Sequence, residues 1–203
     1  FGSVERPTHK NTSWDAARFE VCAHKYCDLS EYGYGVSLLN DCKYGHAIHD
    51  GVMSLTLLKC GTFPDPTADK CEHEFTYSLY PHAGDYREAG TIKKAYELNV
   101  PMTAVKVSKN KGTLPCEYSF LTMDAENIIF ETAKKAEDGE DIILRGYECF
   151  NKRTDVTLTL GVPVKSAYVC DMLENEETEI PVTDGKISLS FKPFEIITLK
   201  LKK

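Results

Sequence analysis

The chain has 203 residues and a formal net charge of −7, with 42% apolar and 27% charged side chains. These values suit one large or two small globular domains and exclude a disordered chain. No apolar run approaches the ~18 residues of a membrane helix. No block of Lys and Arg interleaves with aromatics, so neither a membrane nor a nucleic acid is expected as a partner.

Residues 1–15 (FGSVERPTHKNTSWD) are polar and irregular, and Pro7 with Asn11-Thr12-Ser13 forbids a long element. Trp14, the only tryptophan, reads as an anchor packing this arm onto a sheet. From Ala17 to Ala23 the side chains alternate, which predicts a half-buried strand. Glu20 to Tyr44 is the densest run of aromatic, carboxylate and amide side chains. It reads as two strands around a polar turn, with turn chemistry at Asp28-Leu29-Ser30-Glu31. The second strand is Tyr34 to Asn40, its entry relaxed by Gly33 and Gly35.

Asn40-Asp41 and Gly45 bracket the next turn. Val52 to Lys59 predicts a central strand, apolar on both faces. Gly61 to Asp69 is a loop with two prolines. His73 to Tyr80 alternates as a strand that Pro81 ends. Ala89, Ile92, Tyr96 and Asn99 recur at three-and-four spacing, which predicts a helix from about Asp85 to Leu98, stopped by Pro101.

A strand through Tyr118 to Leu121 follows. Short strands then recur at Ile128–Ala133, Ile142–Phe150, Val156–Leu160, Ala167–Cys170, Ile187–Phe191 and Glu195–Leu201. This spacing predicts a compact antiparallel sandwich. Its core stripes are Ile187, Leu189, Phe191 and Ile197, Leu199, Leu201. A boundary near Met123 gives domains 1–123 and 124–203.

Few constellations carry chemistry. Glu72 and Glu74 have the i,i+2 spacing of one strand face, which any such pair shares, and a solvated face is the default reading. His46 and His49, and Cys22, His24 and Cys27, match no closed four-ligand pattern. There is no Gly-x-Ser-x-Gly, no phosphate loop and no dinucleotide fingerprint. Asn151 to Thr154 and Glu174 to Glu179 read as charge-rich solvated turns. The eight cysteines are scattered without a CxxC and are expected as reduced thiols. Tyr32, Tyr34, Asn40, Asp41, Lys43 and Tyr44 combine flat rings with hydrogen-bonding groups, which suits either a sugar or packing and turn chemistry.

RPTHKNTSWDAARFE, AHKYCDLSEYGYGVSLLNDCKYG, LTLLKCGTFPDPTAD, EHEFTYSLYPHAGDYREAG and the closing PFEIITLKL resemble the C-terminal half of glycoside hydrolase family 38 α-mannosidases, nearest the bacterial cytoplasmic branch. The resemblance spans almost the whole chain. It implies a mainly β fold: part of a galactose-mutarotase-like β-supersandwich with one helix, then a small antiparallel β-sandwich. It implies a retaining enzyme whose divalent metal, zinc, and catalytic aspartate lie in an N-terminal barrel outside this sequence. No residue here corresponds to a metal ligand or the nucleophile, and the chain is read as an internal fragment.

The implied partners are that barrel, an α-mannoside and further copies in a homo-oligomer. A cut supersandwich is expected to expose an apolar face. Substrate-pocket candidates are Tyr32, Asn40, Asp41, Lys43 and Tyr44. The sequence departs from the family at Cys22, Cys27 and Cys42, and at Tyr26 and Tyr86, where tryptophan is frequent. Two alternatives stand beside this reading. One is a free-standing carbohydrate-binding module. The other is an aldose-epimerase-like enzyme, with His24 and Glu20 or Glu31 as its only loose pair.

Overall fold

Backbone hydrogen bonding along alternating stretches produces four antiparallel sheets. The structure, a computed structural model, describes residues 1–203. It divides into a first unit, Glu5–Val107, and a second, Ser108–Lys203 together with Phe1–Val4.

The first unit opens with α1 (Ser13–Ala17), a five-residue helix closed by a capping box. There the Asp15 N–H donates to Thr12 Oγ1 at 3.2 Å. Trp14 sits on it 75% exposed, so it anchors nothing in this unit. Then come β1 (Val21–Cys22), β2 (Tyr26–Glu31), β3 (Tyr34–Asn40), β4 (Gly45–His49), β5 (Val52–Leu55), β6 (Tyr77–Ala83) and α2 (Thr91–Asn99). They form sheets ordered β1-β4-β5 and β2-β3-β6.

Several expectations shift. The strand foreseen at Ala17–Ala23 shrinks to β1, because α1 takes its first residue. Asp28–Glu31 is not a turn but four of the six residues of β2, paired with Tyr34–Ser37. The turn is Tyr32-Gly33, where Gly33 adopts φ +86°. β5 lies at a sheet edge rather than in the centre and ends at Leu55. β6 starts at Tyr77 and runs through Pro81, which an edge strand tolerates. Glu72 and Glu74 precede it in irregular chain and share no strand face. The helix begins later than expected. Asp85 Oδ1 accepts the N–H groups of Arg87 (2.8 Å) and Glu88 (3.0 Å), Gly90 takes φ +67°, and α2 starts at Thr91.

The second unit contains β7 (Leu121–Met123), β8 (Ile128–Lys135), β9 (Ile142–Glu148), β10 (Thr154–Leu160), β11 (Ser166–Cys170), β12 (Glu176–Ile180), β13 (Lys186–Phe191) and β14 (Ile196–Lys202). A three-stranded sheet, β13-β10-β7, and a five-stranded one, β12-β11-β14-β9-β8, enclose one core. Leu144, Leu158, Ile187, Phe191, Leu199 and Leu201 are among its largest fully buried side chains. β7 pairs with β10, so the residues just before position 124 belong to this unit, which begins at Ser108. β12, read from sequence as a charged turn, is an edge strand, where charges hinder further pairing. The two units are unequal: only Leu38, Leu39, Ile92 and Ala95 of the twenty buried apolar side chains lie in the first.

Glu148 is fully buried at the end of β9. Its carboxylate accepts the Asn127 amide (2.8 Å) and the backbone N–H groups of Phe150 (2.6 Å), Lys152 (3.1 Å) and Phe194 (3.0 Å). Burial pushes this carboxyl up, and the hydrogen bonds, led by Phe194, outweigh that and hold it below its ordinary value. Four donors thus gather three loops onto one anion. Glu148→Ala leaves them facing a void, and urea unfolding of the second unit should lose roughly 2–4 kcal/mol. The lowered pKa also sets a direction with pH. The contribution is complete above the ordinary glutamate pKa of 4.5 and fades as pH falls through the lower folded value. An acid titration of the wild-type chain should show that loss, and Glu148→Gln should flatten it.

Candidate functional site

The first unit is organised around β3, which ends in the turn holding most of the candidate residues. Opposite it on β2, Asp28 is registered with Ser37. Asp28 Oδ1 accepts the Ser37 hydroxyl at 2.6 Å and pairs with His82 Nε2 of β6 at 2.7 Å. Ser37 Oγ also lies 2.8 Å from Thr91 Oγ1, at the start of α2. Ser37 and Thr91 are fully buried, and His82 is 8% exposed. Gly35 exists for this arrangement: a Cβ there would lie 2.4 Å from His82 Cε1 and 2.7 Å from Ser30 Cβ. The glycine allows close approach rather than loosening the strand.

This cluster has the residue types of a catalytic triad without its order. The carboxylate, not the histidine, is central, and the serine donates to the acid instead of to a base. It therefore fastens β2, β3, β6 and α2 and activates no nucleophile. Sequence inspection missed it because Asp28 and Ser30 resembled turn residues. The available signal was the alternation Tyr26, Asp28, Ser30 on one face. Tyr26 and Tyr86 also meet, ring centroids 6.0 Å apart, so the two departures from the family's tryptophans form one contact.

The turn after β3 carries Asn40, Asp41, Lys43 and Tyr44. Asn40 is fully buried, and its Oδ1 accepts the Lys43 N–H at 3.1 Å. Its carbonyl accepts the Asn99 amide from the end of α2 at 3.0 Å. Asp41 exchanges bonds with Thr76: Asp41 N–H to the Thr76 carbonyl at 3.1 Å, and Thr76 N–H to Asp41 Oδ2 at 2.9 Å. The Cys42 thiol and Thr76 hold the Asp41 carboxyl below the usual carboxylate range. Asn40 and Asp41 thus shape the turn, its exposed side chains are Cys42 and Tyr44, and Lys43 is half-buried. Lys43 Nζ stands 4.9 Å from the Phe75 ring centroid. Tyr44 is 41% exposed and meets His24 edge-on at 4.4 Å.

Tyr32 does not join them. It is fully exposed at the β2–β3 tip, while the turn lies beyond the other end of β3. The strand separates them by roughly 20 Å at about 3.3 Å per residue. The reason is topological: both turns belong to β3, but at opposite ends.

The other constellations disperse. His46 is fully buried, with Nδ1 3.1 Å from the Tyr44 carbonyl, and burial pulls its imidazole below the ordinary value. His49 sits three residues along β4, on the opposite face, with Nε2 3.3 Å from the Phe19 carbonyl. No hydrogen bond joins His24 to Glu20 or Glu31. Glu20 accepts the Thr56 hydroxyl at 3.3 Å, and Glu31 is registered with Tyr34 at the tip. None of the eight cysteines is in a disulfide. A shallow surface recess lies in the second unit, among Arg153, Asp155, Ser190 and Lys192.

Residues 1–67 match the family described as glycosyl hydrolases family 38 C-terminal domain. Residues 127–199 match glycosyl hydrolases family 38 C-terminal beta sandwich domain. Both matched families describe C-terminal domains of glycosyl hydrolases of family 38. The first family 38 match contains the Asn40–Tyr44 turn, and the second contains Glu148. Over 99% of its length the chain is 42% identical to alpha-mannosidase 2C1 of Homo sapiens, covering 20% of that protein. It is 42% identical over 98% of its length to alpha-mannosidase G of Dictyostelium discoideum, covering 19%. It is 35% identical over 99% of its length to alpha-mannosidase of Saccharomyces cerevisiae, covering 20%. The chain therefore spans about a fifth of the length of the curated relatives it matches.

Two solved structures share the fold at 22% identity. The crystal structure of an alpha-mannosidase from Enterococcus faecalis V583 matches 98% of this chain and 23% of its own, with TM-score 0.79. A family 38 protein from Enterococcus faecalis matches 90% and 22%, with TM-score 0.73.

The Asp28 cluster can be tested directly. Asp28→Ala leaves His82 and Ser37 buried without their shared acceptor and should destabilise the first unit by roughly 3–5 kcal/mol. Gly35→Ala should cost roughly 1–3 kcal/mol by displacing the His82 ring. Equilibrium urea unfolding followed by tyrosine fluorescence reads both.

Proposed function

We propose that this chain is the non-catalytic C-terminal β region of a retaining α-mannosidase, and that it braces the N-terminal catalytic barrel of the same polypeptide. The supporting observation is its 42% identity, over almost its whole length, to alpha-mannosidases of which it spans a fifth. The buried carboxylates point the same way. Asp28 and Glu148 are consumed by donors of their own fold and stand opposite no second acid. On this reading the barrel supplies the divalent metal, zinc, and the aspartate nucleophile, and the substrate is a terminal α-mannoside.

The Asn40–Tyr44 turn lines the approach to that barrel. Tyr44 is its outward contact, with Lys43 half-buried beside it, and Asn40 and Asp41 are its internal frame. The first unit exposes Tyr77 (53%), Leu79 (65%), Val105 (74%) and Val107 (70%) over a thin core. Such a surface is suited to cover by the rest of the polypeptide or by a second copy in a homo-oligomer. Eight cysteines outside any disulfide support a reducing, cytoplasmic setting. The bacterial branch belongs to the same proposal, while the curated relatives above are eukaryotic.

The purified chain, given an aryl α-mannoside and a divalent metal, should show no turnover above buffer. The polypeptide that includes the barrel should hydrolyse it. In that longer enzyme, Tyr44→Ala should raise KM roughly fivefold with little change in kcat, the ~1 kcal/mol of one lost contact. Turnover by the chain alone would refute the proposal. Saturable mannose binding to it in a calorimeter would favour a carbohydrate-binding module.

A further inference from the structure

The first four residues match one family 38 domain by sequence and pack with the other. Residues 1–67 form the first match, yet Phe1–Val4 cluster with Ser108–Lys203. The Phe1 ring meets Tyr147 edge-on, with centroids 5.1 Å apart and planes at 84°. Tyr147 is 5% exposed, so its ring is a fixed wall. Gly2 then lies against Phe194. It adopts φ +95°, and a Cβ there would come within 2.9 Å of Phe194 Cδ1. Only glycine meets both conditions without strain.

Phe194 is itself constrained. Its φ is +55°, and its N–H donates to Glu148 Oε2 at 3.0 Å. The turn holding it is closed by the Glu195 N–H donating to the Lys192 carbonyl at 3.1 Å, and by the Lys192 N–H donating to Glu195 Oε2 at 2.6 Å. Tyr147 directly precedes Glu148. The two ring contacts therefore flank the buried carboxylate on which three loops converge.

We propose that Tyr147 and Phe194 form a surface seat for a Phe-Gly segment, and that Phe1–Val4, with its Phe1 ring still 65% exposed, is the resident occupant. The arm is a strap over the Lys192–Glu195 turn and keeps the Phe194 N–H aimed at Glu148. The chain thus leaves the second unit at Val4, builds the first unit, and returns at Ser108. The inference is independent of the activity proposed above, since it concerns contacts inside one unit.

Amide hydrogen exchange on the whole chain tests it. Gly2→Val should displace the strap, and the Phe194 amide should exchange at least about tenfold faster. The Leu158 and Leu199 amides, deep in the two sheets, should be unchanged. Unchanged exchange at Phe194 in a folded variant overturns the proposal. Should Gly2→Val fail to fold, the unmodified chain decides. Nuclear Overhauser contacts between the Phe1 and Tyr147 rings support the strap, and their absence overturns it.

Discussion

One oxygen atom, Asp28 Oδ1, sets the geometry of the first unit. It takes the Ser37 hydroxyl and meets the His82 ring, and Ser37 passes the connection to Thr91. Three strands and a helix meet within two hydrogen-bond lengths of it. An apolar contact of the same size would tolerate a slipped register, because one greasy surface fits another in many ways. A buried acceptor with fixed donors fits in one register only. Gly35 follows from that choice, since the His82 ring must cross the β3 backbone to reach the carboxylate.

The second unit solves the same problem differently. Its two sheets bury a continuous apolar core, and Glu148 gathers loops at its margin. Removing Glu148 would loosen those loops without dissolving the sandwich. The first unit has no such reserve. With four buried apolar side chains, it relies on directional bonds and leaves Tyr77 and Leu79 open. A structure held that way is a poor independent domain and a reasonable component of something larger. That contrast joins its energetics to the bracing role proposed for it.

Legibility in the sequence followed the same divide. β10 and β13 declare themselves because they face a core on one side and solvent on the other, and period two survives. β12 hides because Glu176, Glu177 and Glu179 suit a sheet edge as well as a loop. β2 hides for a stronger reason. Asp28 and Ser30 are residues that commonly make turns, and here the strand needs Asp28 as an internal acceptor. Pro81 misled in the same way, since its lack of an N–H forbids a central strand but not β6 at its edge. The candidate turn was legible as a cluster of polar types, but the direction of each side chain was not. Asn40 turns inward because Lys43 N–H needs a cap, and no spacing rule reveals that.

The Glu20–Tyr44 stretch therefore spends most of its polar groups on itself. Asp28 holds a layer, Asn40 and Asp41 hold a turn, and Glu20 bonds Thr56. A polar-rich run is ambiguous between ligand binding and internal wiring, and geometry separates them by asking which atoms still point outward. Here the Cys42 thiol and Tyr44 remain exposed, Tyr44 against His24, while Lys43 is half-buried with its ammonium over the Phe75 ring. Which side chain a turn leaves exposed is settled by what the others are bonded to, and here the Asn40 amide oxygen and the Asp41 carboxylate are already engaged.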